Sequence, residues 1–117
     1  MRQSRMRKVK AIWMSTLLAG TLLYALGAAA DCRLPAPPSH IPDGSSANEQ
    51  EMLAAMRTLK QYNDDVNEYT RCLEFQERQN RISLEDHEKH RDDAVNTLAI
   101  VAARFNEQVR RFKARRS

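Results

Sequence analysis

Two histidines stand three residues apart in the most acidic stretch of the sequence. A spacing of three residues places the imidazoles of His87 and His90 on one face of a helix, and a nearby carboxylate would complete a set of ligands for a divalent metal ion. The surrounding carboxylates belong to Glu85, Asp86, Glu88, Asp92 and Asp93. Solvated charge at the tip of a helical hairpin is the alternative and commoner origin of such a cluster.

A group of cations near the end of the sequence is the second candidate site. Its members are Arg110, Arg111, Lys113, Arg115 and Arg116. This cationic group predicts binding to anions, either the phosphates of lipid or lipopolysaccharide, through weak contact with an anionic membrane surface, or a polyanionic partner. Cations also stabilise the last turn of a helix by opposing its dipole, so the same residues have a purely structural explanation.

The sequence contains two cysteines, Cys32 and Cys72. In an exported protein, such a pair predicts an intramolecular disulfide, which a domain of this size often needs for stability. An intermolecular bridge or two free thiols remain alternatives. No serine–histidine–aspartate set, glycine-rich phosphate loop or pair of buried carboxylates can be assembled from these residues. We therefore expect neither an enzyme nor a cofactor.

The first thirty residues have the layout of a secretory signal peptide. Five basic residues precede an apolar run over 11–27, and Ala28 and Ala30 are the small residues that a cut after Ala30 requires. The expected outcome is export from the cytoplasm with loss of this segment. The alternative is a signal-peptide helix that stays uncleaved and anchors the protein in the inner membrane.

Export would also change the charge. The whole chain has 19 basic and 15 acidic residues, but residues 1–30 hold five of the basic ones and none of the acidic ones. Residues 31–117 therefore carry 14 basic and 15 acidic residues. The high isoelectric point belongs to the export signal, so we expect no nucleic-acid partner.

The remaining residues predict an all-α fold with a proline-rich beginning. Four prolines within residues 31–45 exclude a helix and favour an extended strap, which ends in the turn signal Pro42-Asp43-Gly44. Ser46 and Glu49 have the spacing of a capping box that would start a helix over about 46–80. Ser83, with Asp86 in the first turn, would cap a second helix over about 84–113.

Apolar residues recur in each helix at spacings of three and four, which is typical of a coiled-coil seam. The first seam comprises Met52, Ala55, Leu59, Tyr62, Val66, Tyr69 and Leu73, with Met56 at one edge. The second comprises Leu84, His87, Arg91, Ala94, Leu98, Val101, Phe105, Gln108 and Phe112, broadened by Val95, Ala102 and Val109. The two are one residue out of phase, so we expect a turn near 80–83 and an antiparallel hairpin. One continuous helix over 46–113 is the alternative.

Chain length limits the path of the strap if the disulfide forms. A helix rises about 39 Å from Ser46 to Cys72, whereas ten residues of polyproline II from Cys32 to Pro42 reach only about 31 Å. The strap must therefore run almost fully extended and antiparallel to the first helix.

Several short stretches carry a resemblance to other proteins. They are Cys32 with its following prolines, the stretch Ile41-Pro42-Asp43-Gly44, Tyr62-Asn63, Tyr69 with Cys72-Leu73, and the stretch from Phe105 to Lys113. In these residues the chain resembles a family of small exported proteins of Gram-negative bacteria that has no assigned activity. The resemblance implies a periplasmic protein with this cysteine pair.

These observations favour a non-catalytic periplasmic protein, with the hairpin over 46–117 binding a protein partner or a second copy of itself. Two seams and a strap leave apolar surface uncovered, which is the basis of that expectation. The alternatives are a chaperone-like stress protein of the envelope and an anion- or metal-binding protein.

Overall fold

The computed structural model describes residues 31–116. Within this range the regular secondary structure consists of two α-helices, without a strand. Helix α1 spans Glu49–Arg78 and helix α2 spans Leu84–Arg116. The predicted signal peptide lies outside the described residues. Neither α1 nor α2 is long and apolar enough to cross a membrane.

Helix α1 begins at a capping box that the sequence analysis placed wrongly. The cap is Asn48, whose side chain accepts a hydrogen bond of 2.9 Å from the backbone N–H of Glu51. The Glu51 carboxylate accepts one of 2.8 Å from the N–H of Asn48 in return. Ser46 with Glu49 was the prediction, but Ser46 lies in a turn instead. Ala47 and Met52, which flank the cap, are buried together and fix the angle at which the chain enters the helix.

A left-handed residue ends α1. Asn80 has a φ of 54°, and the N–H of Arg81 donates to the carbonyl of Gln76 across 2.9 Å. With the bond from the N–H of Asn80 to the carbonyl of Glu77, this is a Schellman motif. The Ser83 hydroxyl then accepts a 3.0 Å bond from the N–H of Asp86, so Ser83 caps α2 as predicted.

The two helices pack against each other as a helical hairpin with two clusters of buried side chains. The tip cluster lies nearer the turn and joins residues such as Leu73 of α1 and Ala94 of α2. The base cluster lies at the other end and joins Met52 to Phe105. Late residues of α1 thus meet early residues of α2, and the helices run in opposite directions.

The packing differs from the predicted seams at four positions. Gln76 is buried, so the seam of α1 continues one turn beyond Leu73. Leu84 was assigned to the seam of α2, but as the first residue of that helix it is 58% exposed. Met56 and Val95, predicted to broaden the seams, are 50% and 45% exposed.

The proline-rich segment (residues 31–45) contacts both helices. Cys32 is bonded to Cys72 of α1, with 5.6 Å between the Cα atoms. Ile41 packs against both clusters, and the N–H of Gly44 donates to the side-chain carbonyl of Gln108 on α2 across 2.9 Å. The segment is therefore attached to α1 at one end and to α2 at the other.

Candidate functional site

The two histidines differ sharply in exposure. His87 faces the hairpin interior and is 7% exposed, whereas His90 is exposed. Both ring nitrogens of His87 are buried without a hydrogen-bond partner in the described part of the chain. No group of three or more His, Cys, Asp or Glu side chains in residues 31–116 is arranged to hold a metal ion. Burial of His87 thus separates the pair on which the metal hypothesis depends.

Three of the five predicted anion-binding cations make contacts within the chain. Arg111 pairs with Glu107 at 2.7 Å and Arg116 with Glu49 at 3.8 Å. Arg115 donates to the backbone carbonyls of Ser45, at 2.9 Å, and Ala47. The other two members, Arg110 and Lys113, are exposed on the last turns of α2.

The contacts of Arg115 bring the end of α2 to the start of α1. Its guanidinium also lies over the ring of Phe112, 5.3 Å from the ring centroid, and that of Arg116 lies at the same distance. Nearby, the backbone N–H and side chain of Ser45 hold the pKa of Asp43 below its ordinary value, and Arg111 and Arg115 act in the same direction. These charges and hydrogen bonds hold the base of the hairpin together.

Two shallow grooves lie where the proline-rich segment meets α1. The larger has a volume of about 560 Å³ and runs along the start of the helix as far as Thr58. The smaller, about 390 Å³, is bordered by Arg33 and Pro35 on one side and by Asp65 and Cys72 on the other. In the larger groove, the carboxylates of Asp43 and Glu51 accept backbone hydrogen bonds, so they stabilise the turn and the helix start.

The grooves show which edge of α1 the proline-rich segment covers. Thr58, Asp65 and Cys72 line them and recur every seven residues, which is two helical turns, so they form one edge of the helix. Each of these three residues is followed, one position later, by a core residue, namely Leu59, Val66 or Leu73. Met56 lies three residues before Leu59, and its side chain therefore falls beyond the core positions, on the edge away from the segment.

The same reasoning applies to α2. Gln108 contacts the proline-rich segment, and Val101 and Ala94 precede it at intervals of seven. Val95, Ala102 and Val109 each come one position later and form the opposite edge. Val95 is exposed, and the other two are half-buried.

The hairpin therefore has an uncovered apolar surface, which we name the open face. It consists of Met56, Val95, Ala102 and Val109, together with Leu53, which follows the core residue Met52 by one position and so lies on the same edge of α1 as Met56. Leu53 is 40% exposed and Met56 50%. Beneath them, Leu59 and Leu98 remain half-buried although they belong to the core seams.

The sequence predicts uncovered apolar surface but not its position. Val95, Ala102 and Val109 were predicted to broaden the second seam, and no role was predicted for Leu53. The available signal was that each of these three residues follows a seam residue by one position, namely Ala94, Val101 or Gln108. Which edge the proline-rich segment covers could not be read from periodicity.

Comparisons of this chain with protein-family models, with curated proteins and with solved structures find no match.

Proposed function

We propose that this chain is a non-catalytic envelope protein whose helical hairpin binds a protein partner through the open face. The open face is the observation that carries the proposal. Exposed apolar side chains that stand alone are ordinary on protein surfaces, whereas several on one side of a small domain indicate an interaction site. The candidate cations and histidines give weaker support to a ligand-binding function, because most of them make contacts within the chain.

In this proposal, the proline-rich segment acts as a strap that closes the other side of the hairpin. Its support is the pair of anchors, the disulfide to Cys72 and the hydrogen bond from Gly44 to Gln108. A surface held rigid in its binding conformation loses less conformational entropy when a partner binds. Because the proline-rich segment covers one side of the hairpin, the opposite side would stay exposed to a protein partner.

Substitutions on the open face test this function. Met56→Glu and Val109→Glu each place a charge where the partner would exclude water, whereas Ile100→Glu places the same charge on the opposite edge of α2. Ile100 is 54% exposed, which makes it a matched control for Met56, which is 50% exposed. Val109 is half-buried, so its variant is compared only if its melting temperature is unchanged. In affinity capture from envelope extract with oxidised protein, we expect the first two variants to lose about tenfold or more of the bound protein, and the control to retain it.

Equal recovery with all three variants would disprove the role of the open face. Unchanged helicity and melting temperature of each variant by circular dichroism must accompany the comparison, so that loss of binding is not loss of folding.

The proposed location is the periplasm. Its support is the charged and apolar layout of residues 1–30, with small residues before a cut after Ala30. Expression of the whole sequence in a Gram-negative host, followed by intact-mass analysis of the periplasmic fraction, should find a chain that begins at Asp31. Recovery of the full-length chain from the inner membrane would instead support an uncleaved anchor.

A further inference from the structure

We propose that the open face binds a second copy of this chain, with the two α2 helices antiparallel about a two-fold axis at Ala102. This inference rests on the proposed function and names the partner of the same surface. Five residues on the exposed edge of α2 carry it.

These five residues are evenly spaced along α2. Counting in sevens from Glu88 gives Val95, Ala102, Val109 and Arg116. Seven residues make almost two complete turns, so the five side chains form one line along the helix. Val95 is 45% exposed, and the terminal members Glu88 and Arg116 are exposed. The line has an alanine at its centre, a valine on each side and opposite charges at its ends.

A two-fold axis at Ala102 pairs each position of one copy with the position equally far on the other side of Ala102 in the second copy, because the same surface patch serves both copies. In an antiparallel arrangement centred on Ala102, Val95 of each copy meets Val109 of the other. Glu88 of each copy then meets Arg116 of the other, which exchanges its exposed 3.8 Å contact with Glu49 for this one. Ala102 meets itself, and its small side chain permits the close approach of two helices.

The charges along α2 select this direction. Residues 84–93 contain five acidic and two basic residues, whereas residues 104–116 contain six basic and one acidic. An antiparallel pair sets the acidic end of each helix beside the basic end of the other. A parallel pair would bring like charges together at both ends, which costs free energy and disfavours that arrangement.

The base of α1 adds apolar surface to the same interface. Val109 packs in the base cluster with Met52, and Leu53 and Met56 are exposed on the same side of the hairpin. In the antiparallel arrangement, these two side chains reach towards the region of Val95 in the second copy. The contact therefore extends beyond one pair of helices.

Engineered cysteines test the two-fold axis. The protein is produced from its whole sequence, kept oxidised at Cys32–Cys72, and given one further cysteine at a time. A disulfide requires Cβ atoms within about 4 Å, so only residues that face each other should cross-link. We expect Ala102→Cys to give a covalent dimer at least about tenfold faster than the control Ile100→Cys, because the complex holds its thiols at high local concentration.

Mixed variants test the direction. An equimolar mixture of Val95→Cys and Val109→Cys should yield mainly the 95–109 cross-link, identified by peptide mapping. Predominant 95–95 and 109–109 products would overturn the antiparallel arrangement. Cross-linking of Ala102→Cys no faster than that of Ile100→Cys would overturn the two-fold axis at this position.

Light scattering separates this inference from the proposed function. The oxidised wild type should show twice the protomer mass, and Ala102→Glu the mass of one protomer, whereas Ile100→Glu should remain a dimer. A monomeric wild type would refute the self-association. If the wild type is a monomer but captures a different protein, and Met56→Glu fails to capture that protein, the proposed function would stand without self-association.

Discussion

At the scale of single residues, the closest contact between the proline-rich segment and α2 depends on a missing side chain. A Cβ atom added to Gly44 would lie 1.8 Å from the carbonyl oxygen of Gln108 and 2.7 Å from its carbonyl carbon. Backbone atoms of a helix cannot rotate away as the end of a long side chain can. Gly44 is therefore required here for close approach, and its φ is not positive.

Gly44→Ala should destabilise the protein by about 1–3 kcal/mol, because the segment must move away from α2 or strain the helix. The bond from the Gly44 N–H to Gln108 would lengthen with it. Urea unfolding followed by circular dichroism measures the change. Ser39→Ala, at an exposed position of the same segment, serves as the control and should leave the unfolding midpoint almost unchanged. Equal midpoints for both variants would contradict the close approach.

Two buried tyrosines predict how stability depends on alkaline pH. Burial raises the pKa of Tyr62 and Tyr69 above their ordinary value of 10.0, and Asp93 raises that of Tyr69 further. The unfolded chain therefore releases these protons at lower pH than the folded chain. The free energy of unfolding therefore keeps its full value with respect to these two groups below pH 10, and it falls as the pH rises through their folded-state pKa values.

We expect the melting temperature to fall more steeply above pH 10 in the wild type than in a Tyr62→Phe/Tyr69→Phe variant. Lysines also titrate in this range, but they are the same in both proteins, so the difference between the two curves isolates the tyrosines. Thermal unfolding at a series of pH values measures it. Parallel curves would show that the phenolates are tolerated in the fold.

At the scale of elements, the turn between the helices is made without glycine or proline. Asn80 takes the left-handed conformation that closes α1, and Ser83 caps α2 three residues later. Asparagine tolerates this conformation better than most residues, but glycine has no Cβ penalty at all. Helix α1 thus ends at a residue, Asn80, that is less favourable than glycine in the left-handed conformation.

Asn80→Gly should therefore raise the stability, or leave it unchanged, whereas Asn80→Ala should lower it by about 1 kcal/mol. Both substitutions remove the same side-chain amide, so any hydrogen bond it makes cancels from the comparison. Differential scanning calorimetry of the two variants gives the order of melting temperatures. An alanine variant as stable as the glycine variant would mean that residue 80 has left the left-handed conformation.

Periodicity and capping chemistry predicted most of the helical hairpin. The change of phase between Leu73 and Ala94 indicated a turn, and Ser83 with Asp86 identified its end. The start of α1 was ambiguous, because Ser46–Glu49 and Asn48–Glu51 both have capping spacing. Burial of Ala47 in the base cluster decides between them, and that contact depends on α2.

Long-range contacts explain why the candidate site was harder to predict. Arg115 was assigned to an anion-binding group, but two of its N–H groups donate to the carbonyl groups of Ser45 and Ala47, about seventy residues earlier. No spacing rule connects residues so far apart. The open face was likewise undefined until the covered edge of each helix was known, because both edges of a seam carry small or apolar residues.

At the scale of the whole molecule, the proline-rich segment is fixed at both ends. The disulfide joins it to α1 near the tip, across a sequence separation of 40 residues. At the base, Gly44 bonds to Gln108, and Arg115 bonds to the residues that follow the segment. Removal of one anchor leaves the other, so partial loosening should precede complete unfolding.

Removal of the disulfide should cost a large share of the stability of a domain of this size. Closing a loop of this length contributes about 4 kcal/mol in the chain-entropy model, against a total of about 5–15 kcal/mol for ordinary domains. The variant Cys32→Ser/Cys72→Ser should thus unfold at much lower urea concentration. Hydrogen exchange should become fast near Cys72 and stay slower at Gln108, where the second anchor remains.

The reduced wild type is the control for this variant, because it lacks the same bond but keeps both sulfur atoms. The two proteins should have equal unfolding midpoints if the covalent link itself is what stabilises the fold. A midpoint equal to that of the oxidised wild type would show that the covalent link contributes nothing to stability. The expectation that only one side of the hairpin is open would then depend on the second anchor alone, the hydrogen bond from Gly44 to Gln108.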